Sequence, residues 1–148
     1  MMLEEKIQQD IKAAMLAKDS VALASVRGIK AAILLAKTSE GAKELDDAAI
    51  VKIIQKLVKQ RKESAEIYTQ QNRPELAQNE LAEAEVMERY LPKQLSEAEI
   101  EEKVKEIIAQ VGAQSMADMG KVMGVATKAL AGQADGKVIS AMVRKILA

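Results

Sequence analysis

The sequence predicts an all-α protein, and three observations lead to this fold class. Apolar residues recur at helical spacing along the chain, and no segment alternates apolar and polar residues with the period of a strand. The chain has no cysteine, histidine, tryptophan or phenylalanine, and only two tyrosines. A core of this composition must consist of alanine, leucine, isoleucine, valine and methionine packed at close range, which favours helices.

Four helices are predicted in the first part of the chain, each from apolar residues at intervals of three and four. Pro74 separates the third helix from the fourth, because proline cannot continue a helix but fits the first turn of the next one. Pro92 disfavours helical geometry at Leu91, so we place a domain boundary there. The predicted helices end near residues 18–20, Thr38, Gln71 and Tyr90.

Three more helices are predicted after this boundary. Ser96 followed by Glu99 forms a capping box, and Gly112 fits the left-handed position that ends the fifth helix. The later signals are a second capping box at Ser115 and Asp118, a helix end at Gly132 and a cap at Asp135. The prediction is therefore an N-terminal multi-helical subdomain over residues 1–92 and a C-terminal three-helix bundle over residues 93–148.

The net charge is zero, but the charges are unevenly distributed. Residues 1–111 hold seventeen Lys and Arg against twenty Asp and Glu, a balance of −3, and residues 112–148 hold five against two, a balance of +3. A positive tail is suited to a polyanion, although a short segment can acquire such a balance by chance. The first residues form no apolar run and no stretch is apolar enough to cross a membrane, so we expect a cytoplasmic protein without membrane contact.

Two glycines mark the predicted sixth helix. Gly120 and Gly124 lie four residues apart, and each costs about 1 kcal/mol relative to alanine inside a helix. We expect a close approach to this face, either by another helix of the same domain or by a ligand backbone.

Basic residues accompany these glycines, and they form either a phosphate-binding surface or an ordinary solvated face. The tail cations that could contact phosphates are Lys121, Lys128, Lys137, Arg144 and Lys145. The amino termini of the tail helices near Met116 and Gly136 could add backbone N–H donors. A secondary basic face is expected from Arg27, Lys30, Lys52, Lys56 and Lys59.

The sequence gives no sign of a catalytic centre. Without histidine and cysteine, the commonest general base and the commonest soft metal ligand are absent. The carboxylates fit helix caps and exposed faces, and no glycine-rich loop follows a strand. We therefore expect no catalytic residues, no metal and no cofactor.

The segments "QRKESAEIY", "ERYLPKQLSEAEI", "ADMGKVMG" and "ADGKVIS" carry a family resemblance. Over its whole length the chain resembles the YqeY family of small bacterial proteins, and about the last forty residues resemble the tail domain of GatB. GatB is a subunit of the glutamine-dependent amidotransferase that acts on misacylated tRNA. The resemblance implies a helical subdomain followed by a three-helix tail that contacts the outer corner of tRNA. Gln133 departs from the family pattern, in which many relatives carry a cation.

Three functions follow as hypotheses. The resemblance implies a tRNA-binding accessory protein related to the amidotransferase, which is a carbon–nitrogen ligase with glutamine as donor. Its partners would be tRNA and either amidotransferase subunits or an aminoacyl-tRNA synthetase. The alternative is a protein–protein interaction module, in which the basic third helix pairs with the acidic fourth within or between chains and a methionine face (Met116, Met119, Met123) docks a helix. The third hypothesis is an amidotransferase that is active only in complex with other subunits.

Overall fold

The computed structural model describes residues 2–39 and 44–148. These residues form seven α-helices and one short 3-10 helix, and no strand occurs among them, so the all-α prediction is confirmed. They divide into two compact units, Met1–Leu91 and Pro92–Ala148. The predicted boundary at residue 92 also implies that residues 93–148 fold when expressed alone, and this stays a prediction.

The first unit contains four helices around one apolar core. The helices are α1 (Met2–Ala17), α2 (Ser20–Thr38), α3 (Asp47–Gln70) and α4 (Pro74–Glu88). Asp19 caps α2 by accepting from the Ala22 N–H, and Asp46 caps α3 by accepting from the Ala49 N–H at 2.8 Å. The buried core side chains are Ile7, Ile11, Val26, Ile29, Ile33, Ile50, Ile54, Val58, Ala84, Val86 and Met87.

The basic third helix and the acidic fourth helix pair inside this unit. The Nε atom of Arg61 lies 3.7 Å from Glu80 Oε2 and 3.7 Å from Glu83 Oε1. Lys62 Nζ lies 2.6 Å from Glu88 Oε1. The complementary charges of α3 and α4 are thus partly satisfied within one chain.

The second unit contains three α-helices and the 3-10 helix. They are α5 (Glu97–Val111), the 3-10 helix Met116–Asp118, α6 (Met119–Ala129) and α7 (Gly136–Leu147). The connection between α6 and α7 is tied to the segment before α5, since the Leu95 N–H donates to the Gln133 carbonyl at 3.0 Å and Gln94 Nε2 donates to the Gly132 carbonyl at 2.7 Å. The buried core side chains are Ile100, Val104, Ile107, Val122, Ala126, Leu130, Ile139, Met142, Val143 and Leu147.

The predicted helix signals of the second unit have mixed outcomes. The capping box of Ser96 and Glu99 is present, and Gly112 ends α5 with φ +70°. The second capping box is wrong, because the Ser115 hydroxyl accepts from the Ala117 N–H at 3.3 Å rather than from the third residue of an α-helix. Its partner Asp118 instead accepts from the Gln114 N–H at 2.9 Å. This tighter pattern produces a 3-10 turn, so α6 begins at Met119.

Two predicted helix ends lie beyond the observed ones. The sixth helix ends at Ala129 rather than at Gly132, because the chain turns at residues 130–133, where the Gln133 N–H donates to the Leu130 carbonyl at 3.0 Å. Gly132 adopts φ +77° in this turn. The fourth helix ends at Glu88, before the predicted Tyr90. Both differences arise in the last turn of a helix, where turn geometry competes with the helical ladder.

Within residues 2–39 and 44–148, no helix combines the length and the apolar character that crossing a membrane requires.

Candidate nucleic-acid interface

The α6 helix separates its core residues from its cations. Val122 and Ala126 are fully buried against the core of the second unit. Lys121, Gly124 and Lys128 are all exposed. The two lysines are seven residues apart, so they lie on one side of the helix with Gly124 between them. The structure therefore places these three predicted site residues together on a solvent-facing surface.

The two helical glycines have open space around them. Gly120 and Gly124 are exposed, and a Cβ atom built on either would meet no heavy atom of the described chain within 4 Å. Packing of another helix of the same domain was one of the two interpretations of these glycines, and the structure rules it out. Close approach by a ligand backbone remains as the other interpretation.

The α7 helix presents its three cations to solvent as well. Lys137 and Arg144 are exposed and seven residues apart, so they share one side, whereas Lys145 is turned by about 100° from Arg144. The opposite side buries Ile139 and Val143. Neither α6 nor α7 contains a carboxylate. Among the described residues, no salt bridge engages Lys121, Lys128, Arg144 or Lys145, so these cations are available to an external anion.

The amino termini of the tail helices are already capped by the protein. The Ser115 hydroxyl accepts from Ala117, and Asp135 Oδ1 accepts from the Lys137 N–H at 3.0 Å. A carboxylate at the start of α7 also repels an approaching anion. One N–H at each terminus is thus engaged by the protein, and the expectation that these termini near Met116 and Gly136 donate to phosphates stays a prediction.

The methionines of the tail do not form an exposed docking face. Met119 and Met123 pack against the core of the second unit, and only Met116 is exposed, at 43%. This removes one of the two features behind the hypothesis of an interaction module. The other feature was the pairing of α3 with α4, which occurs inside the chain.

The residues of the secondary basic face differ in exposure and in the partners they already have. Arg27 is exposed on α2, while Lys30 is half-buried and its Nζ donates to Gln8 Oε1 at 2.6 Å. Lys52 and Lys56 are exposed on one side of α3, and Lys59 on the same helix has an interaction partner of its own. Partnered lysines are less suited to phosphate, so this face is weaker than the tail surface.

The first unit also contains a polar group that no local sequence pattern predicts. The Tyr90 hydroxyl donates to Asp10 Oδ2, and Lys6 Nζ lies 3.4 Å from the same oxygen and 5.8 Å from the centre of the Tyr90 ring. Burial raises the pKa of Tyr90 above its ordinary value, and the hydrogen bond to Asp10 and the charge of that carboxylate raise it further. Only the spacing of Lys6 and Asp10 on one helix face was visible in the sequence, since Tyr90 follows Asp10 by 80 residues.

These features define a class of protein: a helical protein of two units with a cationic surface on its last two helices. Across the described ranges, no group of three or more carboxylates is placed to hold a metal ion. A sequence model of the family described as Yqey-like protein matches residues 4–147. The chain therefore belongs to the YqeY family, which confirms the resemblance.

Curated relatives carry the name Altered inheritance of mitochondria protein 41, mitochondrial. The protein from Meyerozyma guilliermondii is 38% identical over 80% of this chain and 64% of its own length. The one from Lachancea thermotolerans is 34% identical over 71% of this chain and 57% of its own length. The one from Pyrenophora tritici-repentis is 31% identical over 96% of this chain and 79% of its own length. This chain thus spans less than two thirds of the length of the first two relatives.

These relatives contradict the expected cytoplasmic location, because their names place them in mitochondria. The expectation depended on the lack of an apolar segment. Mitochondrial targeting segments are amphipathic and arginine-rich rather than continuously apolar, so that observation could not distinguish the two compartments.

Proposed function

We propose that this protein binds folded tRNA through α6 and α7 and acts as a non-catalytic accessory related to the glutamine-dependent tRNA amidotransferase. The observation that carries the proposal is the charge of these two helices. They present five exposed cations and no carboxylate over 11 and 12 residues. Side chains of this kind neutralise phosphates and release condensed counterions, which gives most of the affinity of a protein for a nucleic acid backbone.

The shape of α6 supports the same proposal. A helix face without side chains at Gly120 and Gly124 lets a sugar–phosphate backbone come close to the helix, while Lys121 and Lys128 flank it. The tail contains no aromatic residue on which a free base could stack. Recognition would therefore depend on the shape of a folded RNA and on its phosphates.

The partners belong to the proposal too. The likeness of the tail to GatB favours tRNA as the ligand, with amidotransferase subunits or an aminoacyl-tRNA synthetase as protein partners. The names of the relatives refer to mitochondria and their inheritance, and they specify no ligand. The RNA proposal thus depends on the tail surface and on the family.

Fluorescence anisotropy with a labelled tRNA over a salt series tests the proposal. With five cations, the slope of log affinity against log salt should be no steeper than about −4.5, since each neutralised phosphate contributes roughly 0.7–0.9. Changing Lys121 and Arg144 together to alanine should flatten the slope by about 1–2 and weaken all tRNAs alike, because phosphate contacts carry no sequence information.

A charge-matched control is the double substitution of Lys12 and Lys103 by alanine. Both lysines are exposed and lie outside α6 and α7. The control should bind as the wild type does. Equal weakening by both double variants would mean that only total charge matters. No tRNA binding by the wild type at low salt would disprove the proposal.

A further inference from the structure

The first unit contains a cleft that the RNA proposal does not use. It lies between α1, the start of α2 and the end of α4, and its volume is about 410 Å³. This volume falls within the usual range of small-molecule sites. The apolar part of the lining, called the floor below, consists of short side chains. The floor residues are Ala13, Ala14, Ala17, Ala22, Val26 and Val86.

The carboxylates of the cleft are already engaged by protein donors. Asp10 accepts from the Tyr90 hydroxyl and lies 3.4 Å from Lys6 Nζ. Asp19 accepts from the Ala22 N–H at 3.1 Å as the cap of α2. Each carboxylate therefore already has protein donors that offset part of its charge, which makes it a weaker site for a cationic ligand.

Arg89 is the charged group of the cleft without such a partner. It lines the cleft, is exposed to solvent, and takes part in no salt bridge of the described residues. A guanidinium offers two parallel N–H donors that match the two oxygens of a carboxylate. Lys6 on the facing helix has three donors, and its contact with Asp10 leaves others available.

We propose that this cleft binds a small aliphatic monocarboxylate, with the carboxylate on Arg89 and the hydrocarbon chain on the alanine and valine floor. The chemistry of the cleft favours this ligand over two others. A polyphosphate requires several unpaired cations, and a cation requires an unpaired acid. Asp10 lines the same cleft, where its hydrogen bond from Tyr90 and its ion pair with Lys6 offset part of its negative charge.

The test uses the full chain and hexanoate as the probe, with amide chemical shifts in a ¹⁵N–¹H spectrum as the readout. Hexanoate at millimolar concentration should shift the amides of the cleft saturably, whereas hexanol and hexylamine should bind more weakly. Arg89→Gln should weaken hexanoate roughly tenfold or more, because a hydrogen bond between charged groups is lost. Arg73→Gln is the matched control, since Arg73 is exposed and does not line the cleft.

A second variant tests the floor independently of charge. Ala13 is exposed, so Ala13→Leu should fill the cleft without disturbing the core and should abolish binding. Ala31→Leu, at an exposed position of α2 outside the cleft, should bind hexanoate as the wild type does. Lack of saturable shifts with hexanoate, equal binding of hexylamine, or unchanged binding in both Arg89→Gln and Ala13→Leu would overturn the proposal.

Discussion

The helical glycines of the protein differ in what surrounds them, and this difference decides what a substitution does. A Cβ atom at Gly28 would lie 3.6 Å from Arg61 Nη2 and 3.7 Å from Met87 Cε, which are ordinary contacts. A Cβ atom at Gly120 or Gly124 would meet no described atom within 4 Å beyond the backbone of its own helix. The first glycine is therefore accommodated by the core of its own unit, while the other two open a face to solvent.

Replacing Gly124 by leucine should weaken tRNA binding without lowering the stability of the protein. The free energy of unfolding should hold or rise by up to about 1 kcal/mol, because leucine is the better helix former and has room. The affinity for tRNA should fall, since the side chain blocks the face between Lys121 and Lys128. Urea denaturation and anisotropy measure the two effects.

The control for this substitution is Ala129→Leu, at an exposed position of the same helix about 140° away from Gly124. It should leave tRNA affinity unchanged. If Gly124→Leu also binds tRNA with unchanged affinity, then no ligand approaches that face.

Tyr90 should make the stability of the folded protein fall as pH rises through the alkaline range. Its folded pKa is raised by burial and by Asp10, so the unfolded chain loses the phenolic proton first. The stabilisation is fully present below the ordinary pKa of about 10 and is lost as pH rises above it. Tyr90→Phe should cost about 1 kcal/mol near neutral pH, through the lost hydrogen bond to a carboxylate.

The difference in the free energy of unfolding between wild type and Tyr90→Phe should then shrink above a pH of about 10. Urea denaturation from neutral to alkaline conditions measures this difference. Tyr68→Phe serves as the control, because it changes the other tyrosine of the chain. A constant difference between wild type and Tyr90→Phe over the whole pH range would contradict the assignment of the effect to Tyr90.

Individual helices were predictable where their signals are local. Ser96 with Glu99, Gly112 and Asp135 act through hydrogen bonds that span at most four residues, so the residues themselves predict the caps. The start of α6 was not predictable in this way, because Ser115 and Asp118 fit an α-helical capping box and a 3-10 turn equally well. The contact of Tyr90 with Asp10, and the solvent around Gly124, depend on tertiary packing that no short pattern encodes.

The capping box of α5 gives a prediction at the scale of this element. The Glu99 side chain accepts from the Ser96 N–H at 3.1 Å, and the Ser96 hydroxyl accepts from the Glu99 N–H at 3.2 Å. Backbone and side-chain hydrogen bonds with Ser96 lower the pKa of Glu99. Ser96→Ala removes the hydroxyl that accepts from the Glu99 N–H, and the loss of this N-cap should destabilise the second unit by about 1 kcal/mol at neutral pH.

The contribution of the carboxylate should disappear at acidic pH. A folded pKa below the unfolded value means that this stabilisation is present at neutral pH and is lost as pH falls through the folded pKa. The melting temperature of Glu99→Gln should therefore change less between neutral and acidic pH than that of the wild type, as measured by circular dichroism. An equal pH dependence of wild type and Glu99→Gln would show that the carboxylate does not act through the cap.

On the scale of the whole molecule, positive and negative charges are separated in two ways. The tail differs in charge from the rest of the chain, and the helices of the second unit also differ from one another. The α5 helix has five glutamates and two lysines, a balance of −3, whereas α6 and α7 together carry five cations and no acid. An RNA would therefore approach from the side of α6 and α7 and be repelled by α5. This arrangement explains how a chain of zero net charge could bind a polyanion.

Dividing the chain at its two compact units gives the last prediction. Residues 92–148 should melt cooperatively when expressed alone, because their ten buried core residues, their caps and the bonds from Gln94 and Leu95 to the α6–α7 turn all lie within that range. The fragment should also keep the salt-dependent tRNA affinity of the whole protein, while residues 1–91 should bind little, since the cations of that unit are partly paired. Circular dichroism and anisotropy on both fragments measure these properties.

Binding by residues 1–91 alone would move the interface to the basic residues of α2 and α3. A fragment 92–148 without a cooperative melt would show that the second unit needs the first in order to fold.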